Sequence, residues 1–491
     1  MSDDELDALA PTPLAPFMVT AAPELRALLR NPFNLRLAAQ LAGQISEGQH
    51  AQLRAVRSRV GLLELYWQSR VRNEDRTARE ALLTRLCEEM ASSRRLTVVE
   101  HEPVVTAADS DAVAAMLSEN VLSSDGGGIP GARSVLSFSH NILFDYAAAI
   151  YLLLDPIDPT NLLNKLDTDP SLPLVARPSF EMLVDLLWEH RREEAFWPLC
   201  LAVAGSDHVL ASLTVAARLL NLIREVDDLA PLFPPSGRGA HSTGLGPDQE
   251  VVRQLVGALR TPMVLPEPGR AVVPLSRLAR CLAENSATSY SDAALAADLL
   301  LGLEIRNPVT SGDPGAADRA EAVAALLNGC RTDPERMEQL AGAAARQLEH
   351  VVGISESVRN AVHNLLDDER ALHQWGGTVL NWLASAVVPA VKCNPDLGRR
   401  IAISILTFDE SREGQVPLGS SALLPLNQSR RQQAEHSIWV LKQKFVDLCT
   451  ADLVAAAEIF CHLAENAKTP ARPVTENEKW PVHVPGADGW I

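Results

Sequence analysis

Leu136–Leu154 reads LSFSHNILFDYAAAIYLLL, and this stretch divides the chain in two. Val135–Phe138 has the pattern of a short apolar strand, Ser139 and His140 make a turn, and a helix follows. That helix carries Ile142, Leu143, Tyr146, Ile150 and Leu153 at the spacing of one face. Before the stretch, helix and strand signals mix. After it, the chain reads almost wholly as helices.

Working upstream, Val121 and Leu122 run into SSDGGGIPGAR and SVLSF runs back out, so the glycines supply the turn of a hairpin. LTVVE, between Arg94 and Val105, is strand-like until Pro103 stops it. Ser110 or Asp109 can cap a short helix through Val113, Met116 and Leu117. Helix, strand, helix, hairpin is the order of a winged helix. Further back lie two helix pairs, the first on Leu25, Leu28 and Leu29 and then Phe33, Leu35, Leu37, Ala38 and Leu41. Pro32 sits in a first turn, where its missing N–H costs little. The second pair runs through Val56, Val60, Leu63, Leu65 and Trp67, then Ala81, Leu82, Leu86 and Met90. Residues 1–22, acidic and then Pro-rich, read as an irregular lead-in.

Downstream, amphipathic segments recur at 179–190, 193–204, 207–225, 248–260, 271–285, 291–305, 316–330, 333–349, 355–367, 370–386, 396–408, 430–448 and 450–466. Paired helices of this length without a sharp consensus fit a degenerate α-solenoid of the HEAT or armadillo kind. Pro231–Pro247 and Thr310–Gly315 read as loops, and the tail from Pro470, with Trp480 and Trp490, cannot be a regular helix.

Composition agrees with a mainly α protein. At 491 residues the chain exceeds the size at which one core stops growing, and its aromatics are only 4 %, which gives little support to a large sheet. A net charge of −18 disfavours nucleic acid and anionic membranes as partners. The short arginine clusters (Arg70–Arg76, Arg94 and Arg95, Arg191 and Arg192, Arg399 and Arg400, Arg430 and Arg431) read as solvated helix faces. The seven cysteines form no CxxC, so neither a disulfide framework nor a zinc site is indicated, and a cytoplasmic location is expected. No window reaches the roughly 18 apolar residues of a spanning helix, and the acidic N-terminus is no secretory signal.

Chemistry is sparse. GGGIPG (Gly126–Gly131) is followed by Ala132 and Arg133 where a phosphate loop needs Lys and Ser or Thr, and it joins two strands, so it reads as the wing. No GxSxG, HExxH or EF-hand pattern occurs. Cys461 and His462 are neighbours that point apart on a helix, read as a buried thiol beside a surface imidazole. Trp375 and Trp382 share a helix face and read as core. Asp227–Asp228 and Asp367–Asp368 sit at helix ends and need only solvation. No self-sufficient active site is expected, nor any metal site.

FSHNILFDYAAAIYLL closely resembles the F-x-H and alanine-rich helix that closes the winged helix of STAND ATPases, the signalling NTPases that include NACHT and NB-ARC proteins. Phe138, His140, Asp145, Tyr146, Ala148 and Ala149 fall on that pattern; Asn141 replaces a commonly acidic residue and Asp145 a more usual Glu. LLRNPFNLRLAAQL, Leu28–Leu41, looks like the Leu-x-x-Pro-Phe-x-Leu helix of the small helical domain that follows the ATPase core. The resemblance implies that Pro32 lies against the adenine and that His140 reaches the β-phosphate of ADP. It covers residues 1–156, and SDDELDALA is similar to the segment leaving the core's last strand.

The implied domains are 1–75, the end of the core and the small helical domain; 76–156, the winged helix; 157–469, the helical-repeat sensor; and 470–491, the tail. The P-loop is expected upstream of Met1, lost through a truncated gene, an internal start or a split system. ADP or ATP would bind only with that core, and the chain alone would be no enzyme. The implied function is nucleotide-gated signalling, antiphage defence being a bacterial setting for it, with a protein trigger on the solenoid and a homo-oligomer on activation. The alternative is a helical-repeat scaffold without nucleotide dependence. A winged-helix transcription regulator is disfavoured, because Asp109–Glu119 carries acids and neither Lys nor Arg.

Overall fold

The computed structural model describes residues 22–43, 47–73, 75–101, 103–104, 106–125, 134–154, 158–190, 192–232, 249–263, 272–306, 312–408 and 430–467, with isolated positions before Ala22. Most of the lead-in, the GGGIPG loop, most of Pro231–Pro247 and the tail from Pro470 lie outside the described residues. The protein is mainly α with helical repeats, and the described residues hold one small sheet. Contacts divide it into two compact units: Met1–Ile223 with Leu245–Met263, and Val264–Ile491, with short intervening pieces assigned to one or the other.

From Pro23 the first unit runs through α1 (Pro23–Leu29), α2 (Pro32–Ala42), α3 (Glu47–Ala55) and α4 (Arg59–Arg70). Asn31 caps α2 by accepting from the Phe33 N–H at 2.9 Å, with Pro32 at the first helical position. The Asn34 amide donates to the Leu28 carbonyl at 3.0 Å and fixes the α1–α2 corner. The polar helix α3 has no counterpart in the apolar pattern, because its sequence EGQHAQLRA carries almost no apolar face.

Next come α5 (Arg76–Ser93), β1 (Thr97–Val99), α6 (Ala107–Ser118), β2 (Leu122–Asp125), β3 (Val135–Phe138) and α7 (Asn141–Ala147). The strands form an antiparallel sheet in the order β1-β3-β2, with Thr97 opposite Ser137 and Leu122 opposite Phe138. Thr106, rather than Ser110 or Asp109, caps α6: Thr106 Oγ1 accepts from the Asp109 N–H while the Asp109 carboxylate accepts from the Thr106 N–H, a reciprocal capping box.

At Ala148 the closing helix changes character and runs to Leu154 as a π-helix. Tyr146 and Leu153 are buried as the spacing predicts, but Tyr151 is buried where Ile150 is expected, because the wider turn shifts the inward face by one residue. The unit then adds α8 (Pro159–Thr168), α9 (Leu172–Val175), α10 (Arg177–His190), a second π turn at Arg192–Phe196, α11 (Trp197–Ala204), α12 (Val209–Leu222) and α13 (Gln249–Met263). Here α13 packs on both α11 and α12, as in a helical repeat.

The second unit is regular. One layer holds α14 (Val272–Glu284), α16 (Ala316–Cys330), α19 (Glu356–Asp367), α21 (Pro395–Leu406) and α24 (Leu453–Ala467). The other holds α15 (Tyr290–Arg306), α17 (Pro334–Arg346), α20 (Glu369–Cys393) and α22 (Arg430–Gln443), with short α18 (Leu348–Val351) and α23 (Phe445–Ala451) as connectors. Each helix packs on the next of its own layer as well as on its chain neighbour. Helices α14, α16, α19 and α21 begin 44, 40 and 39 residues apart, the period of HEAT-type repeats.

Ion pairs link successive repeats: Arg277 and Arg280 with Asp318 at 3.2 Å, Arg346 with Glu304 at 3.0 Å, and Arg331 with Asp368 at 3.0 Å. The acid pairs therefore do more than meet solvent. Asp368 also caps α20, Asp367 binds Arg400, and Asp228 accepts from the Arg224 and Glu225 N–H groups. Arginine clusters are engaged likewise, with Arg70 buried on Glu119, Arg72 and Arg76 sharing Glu80, and Arg399 bonded to Asp396 and Glu458. Trp375 is fully buried as read, its Nε1 donating to the Pro334 carbonyl at 2.8 Å, whereas Cys461 is exposed, the reverse of its expected burial. No helix among the described residues is long and apolar enough to cross a membrane.

Candidate functional site

The two motifs that sequence singles out meet in space. Pro32 starts α2, and the half-buried Phe33 ring that follows it stacks on the His140 imidazole with centroids 3.9 Å apart and planes inclined by 30°. His140 is the N-cap of α7. It accepts from the Ile142 N–H through Nδ1 at 3.2 Å, not from or to the strand carbonyls. This bond assigns the proton of the neutral ring to Nε2, which has no hydrogen-bond partner among the described residues.

The domains that carry these rings are tied together. Tyr66 of α4 donates to the Glu119 and Asn120 carbonyls at 3.3 Å, and Arg70 binds the Glu119 carboxylate. Asn120, in the left-handed region at φ 58°, ends α6, and its carbonyl also accepts from Ser139 Oγ at 2.5 Å. These links join α4, which packs on α2, to the turn that carries His140.

Arg36 lies one turn beyond Pro32 on α2, exposed and without an ion-pair partner among the described residues. Partial burial, chiefly, and the Arg36 charge hold the His140 pKa below its usual value. At neutral pH the ring is therefore uncharged and offers one N–H donor beside a free guanidinium. That arrangement suits an anion with several acceptor oxygens. Among the described residues no cluster of three metal-ligating side chains occurs.

Sequence reasoning found Pro32 and His140 but neither Phe33 as their bridge nor Arg36 as the local cation. A local signal existed in the Pro-Phe dipeptide and in the i, i+3 spacing of Phe33 and Arg36, which places them on one helix face. Behind the site, Trp67 Nε1 donates to the Tyr151 hydroxyl at 2.9 Å, and Asp145 accepts from Ser179 Oγ at 3.1 Å. Both join the closing helix to its neighbours α4 and α10. Comparisons with protein-family models, with curated proteins and with solved structures returned no match.

Proposed function

We propose that the chain is the regulatory and sensor portion of a STAND signalling ATPase, in which the winged helix gates the ADP/ATP state of an ATPase core and the helical repeats bind a protein trigger. One observation carries the reading: the Phe33 ring, next to Pro32 in the chain, stacks on His140, which brings the two motifs together as a shared nucleotide contact requires. The chemistry supports it. A neutral imidazole donating through Nε2, with Arg36 beside it, suits a phosphate oxygen, and Pro32 and Phe33 offer an apolar edge to a base. A swing of the winged helix parts the stack and removes the donor, so the contact reports which nucleotide is held. The acidic balance of the chain favours a protein trigger over nucleic acid.

In the protein that carries the ATPase core, His140→Ala is expected to speed ADP release about tenfold or more, since a hydrogen bond to a charged group contributes about 1.5–3 kcal/mol. Unchanged ADP retention together with unchanged signalling would sink the reading.

A second reading, a repeat scaffold without nucleotide dependence, draws on the Nδ1 cap, which accounts for His140 without any ligand. It predicts that His140→Asn, which preserves a capping acceptor, behaves as the parent in every assay.

A further inference from the structure

Nothing in Ala148–Leu154, AAIYLLL, calls for a π-helix. Ala and Leu are strong α formers, and the segment holds no Pro, Gly or Ser to break the α ladder. Its register is therefore imposed by what it touches. In an α-helix Tyr146 and Tyr151 would point roughly 140° apart, at about 100° per residue. The i→i+5 ladder of a π turn brings residues five apart towards one side. Both rings meet Trp67, at centroid separations of 5.1 and 6.4 Å.

The Tyr151 hydroxyl accepts from Trp67 Nε1 at 2.9 Å and donates to Glu80 Oε1 at 3.3 Å, while Arg72 and Arg76 hold Glu80 in place. Lys165 Nζ donates to the Leu152 carbonyl at 2.5 Å, satisfying an acceptor near the segment's end. Contacts on α4, α5 and α8 thus select a register that the local sequence does not favour.

Space at the segment's end is the second observation. A half-open pocket of about 50 Å³ is lined by Leu153 and Leu154 of this π turn and by Glu194 and Ala195 of the other, with Leu183 and Leu187 of α10. Two rare turns border one pocket. Because it opens to solvent beside the exposed Glu194, this space leaves the large side chains on its wall room to change place.

We propose that Ala148–Leu154 is a two-register element. It exchanges between the observed π register, latched by Tyr151 on Trp67 and Glu80, and an α register in which Leu153 and Leu154 repack across the pocket. Conversion rotates and advances the chain that follows relative to the sheet, which couples the winged helix to the first helices of the array. The coupling is a property of this chain whether or not nucleotide binds near His140.

Hydrogen–deuterium exchange on the whole chain tests it without nucleotide. Tyr151→Phe keeps the ring and removes both hydroxyl bonds. Amide exchange over 148–154 is expected to rise roughly five- to tenfold, the scale of one net hydrogen bond, with Arg177–His190 unchanged. Ala195→Val fills part of the pocket and is expected to slow exchange over the same residues. An unchanged rate over 148–154 in either variant overturns the proposal, and so does a change that is equal throughout the first unit.

Discussion

The closing stretch of the winged helix and the regular array of the second unit are both helical and buried, yet they are held differently. In the array, repeats of about 40 residues stack through apolar faces, and each repeat meets the next through an arginine–carboxylate pair on its rim. Around Tyr151 and Asp145, polar groups from four helices converge, the helix itself departs from α geometry, and a half-open pocket adjoins its end. The array spends its contacts on uniform packing, and the closing stretch spends them on choosing one arrangement among competitors. A structure that must move benefits from the second kind.

The largest expected effect breaks the array. Trp375→Ala removes a fully buried ring and its bond to the Pro334 carbonyl, and is expected to cost about 3–5 kcal/mol in denaturant unfolding. A loss below about 1 kcal/mol would mean that the packing there is far looser than its burial implies.

Glycine substitutions sharpen the contrast at intermediate size, because the sign should differ. A Cβ on Gly398 would meet the backbone N of Val391 at 2.8 Å, so Gly398→Ala is expected to destabilise by about 1–3 kcal/mol. Gly257 of α13 faces open space, and Gly257→Ala is expected to stabilise by about 0.5–1 kcal/mol through helix propensity. Thermal unfolding of the two variants reads both signs, and a Gly398→Ala protein as stable as the parent or more so would contradict the close approach of α20 and α21.

The smallest effect probes the closing stretch. Burial, chiefly, raises the Asp145 pKa above its ordinary 3.8, against the lowering influence of Ser179 and Arg59. A carboxyl whose folded pKa is raised favours folding when protonated, and that contribution is lost as pH rises through the folded value. Asp145→Asn keeps an acceptor for Ser179 and is expected to be the more stable protein at neutral pH, with the advantage fading as pH falls towards 3.8. Stability curves that stay parallel across that range would show the carboxylate to be well solvated.

Much of the array was legible from spacing, since a 3.6-residue apolar period with capping Asp, Ser and Asn sets helix limits locally. Ser355, Asp333 and Asn394 cap the helices they precede, and β3 runs from Val135 to Phe138 as read. Helix α20 continues to Cys393, beyond the expected 386 and through Pro389, because the burial of Val387, Ala390 and Val391 outweighs the backbone hydrogen bond that the proline removes. Helix α8 escaped notice, since a Pro-rich approach at Pro156 and Pro159 reads as a break although Asp158 caps and Pro159 starts a helix. The π register escaped because Ala and Leu favour an α-helix; Trp67 and Glu80, distant in sequence, hold the other ladder. At the candidate site Pro32 and His140 carried a motif, and the i, i+3 spacing put Phe33 and Arg36 on one face of α2, but that this face meets His140 depends on a long-range contact.

The Phe33–His140 stack has a spectroscopic consequence. An aromatic ring 3.9 Å from an imidazole places the carbon-bound imidazole protons within its ring current, so those resonances should lie upfield of a free histidine. The native protein thus carries its own magnetic reporter, one that needs no label and falls silent when helix α2 and the winged helix part.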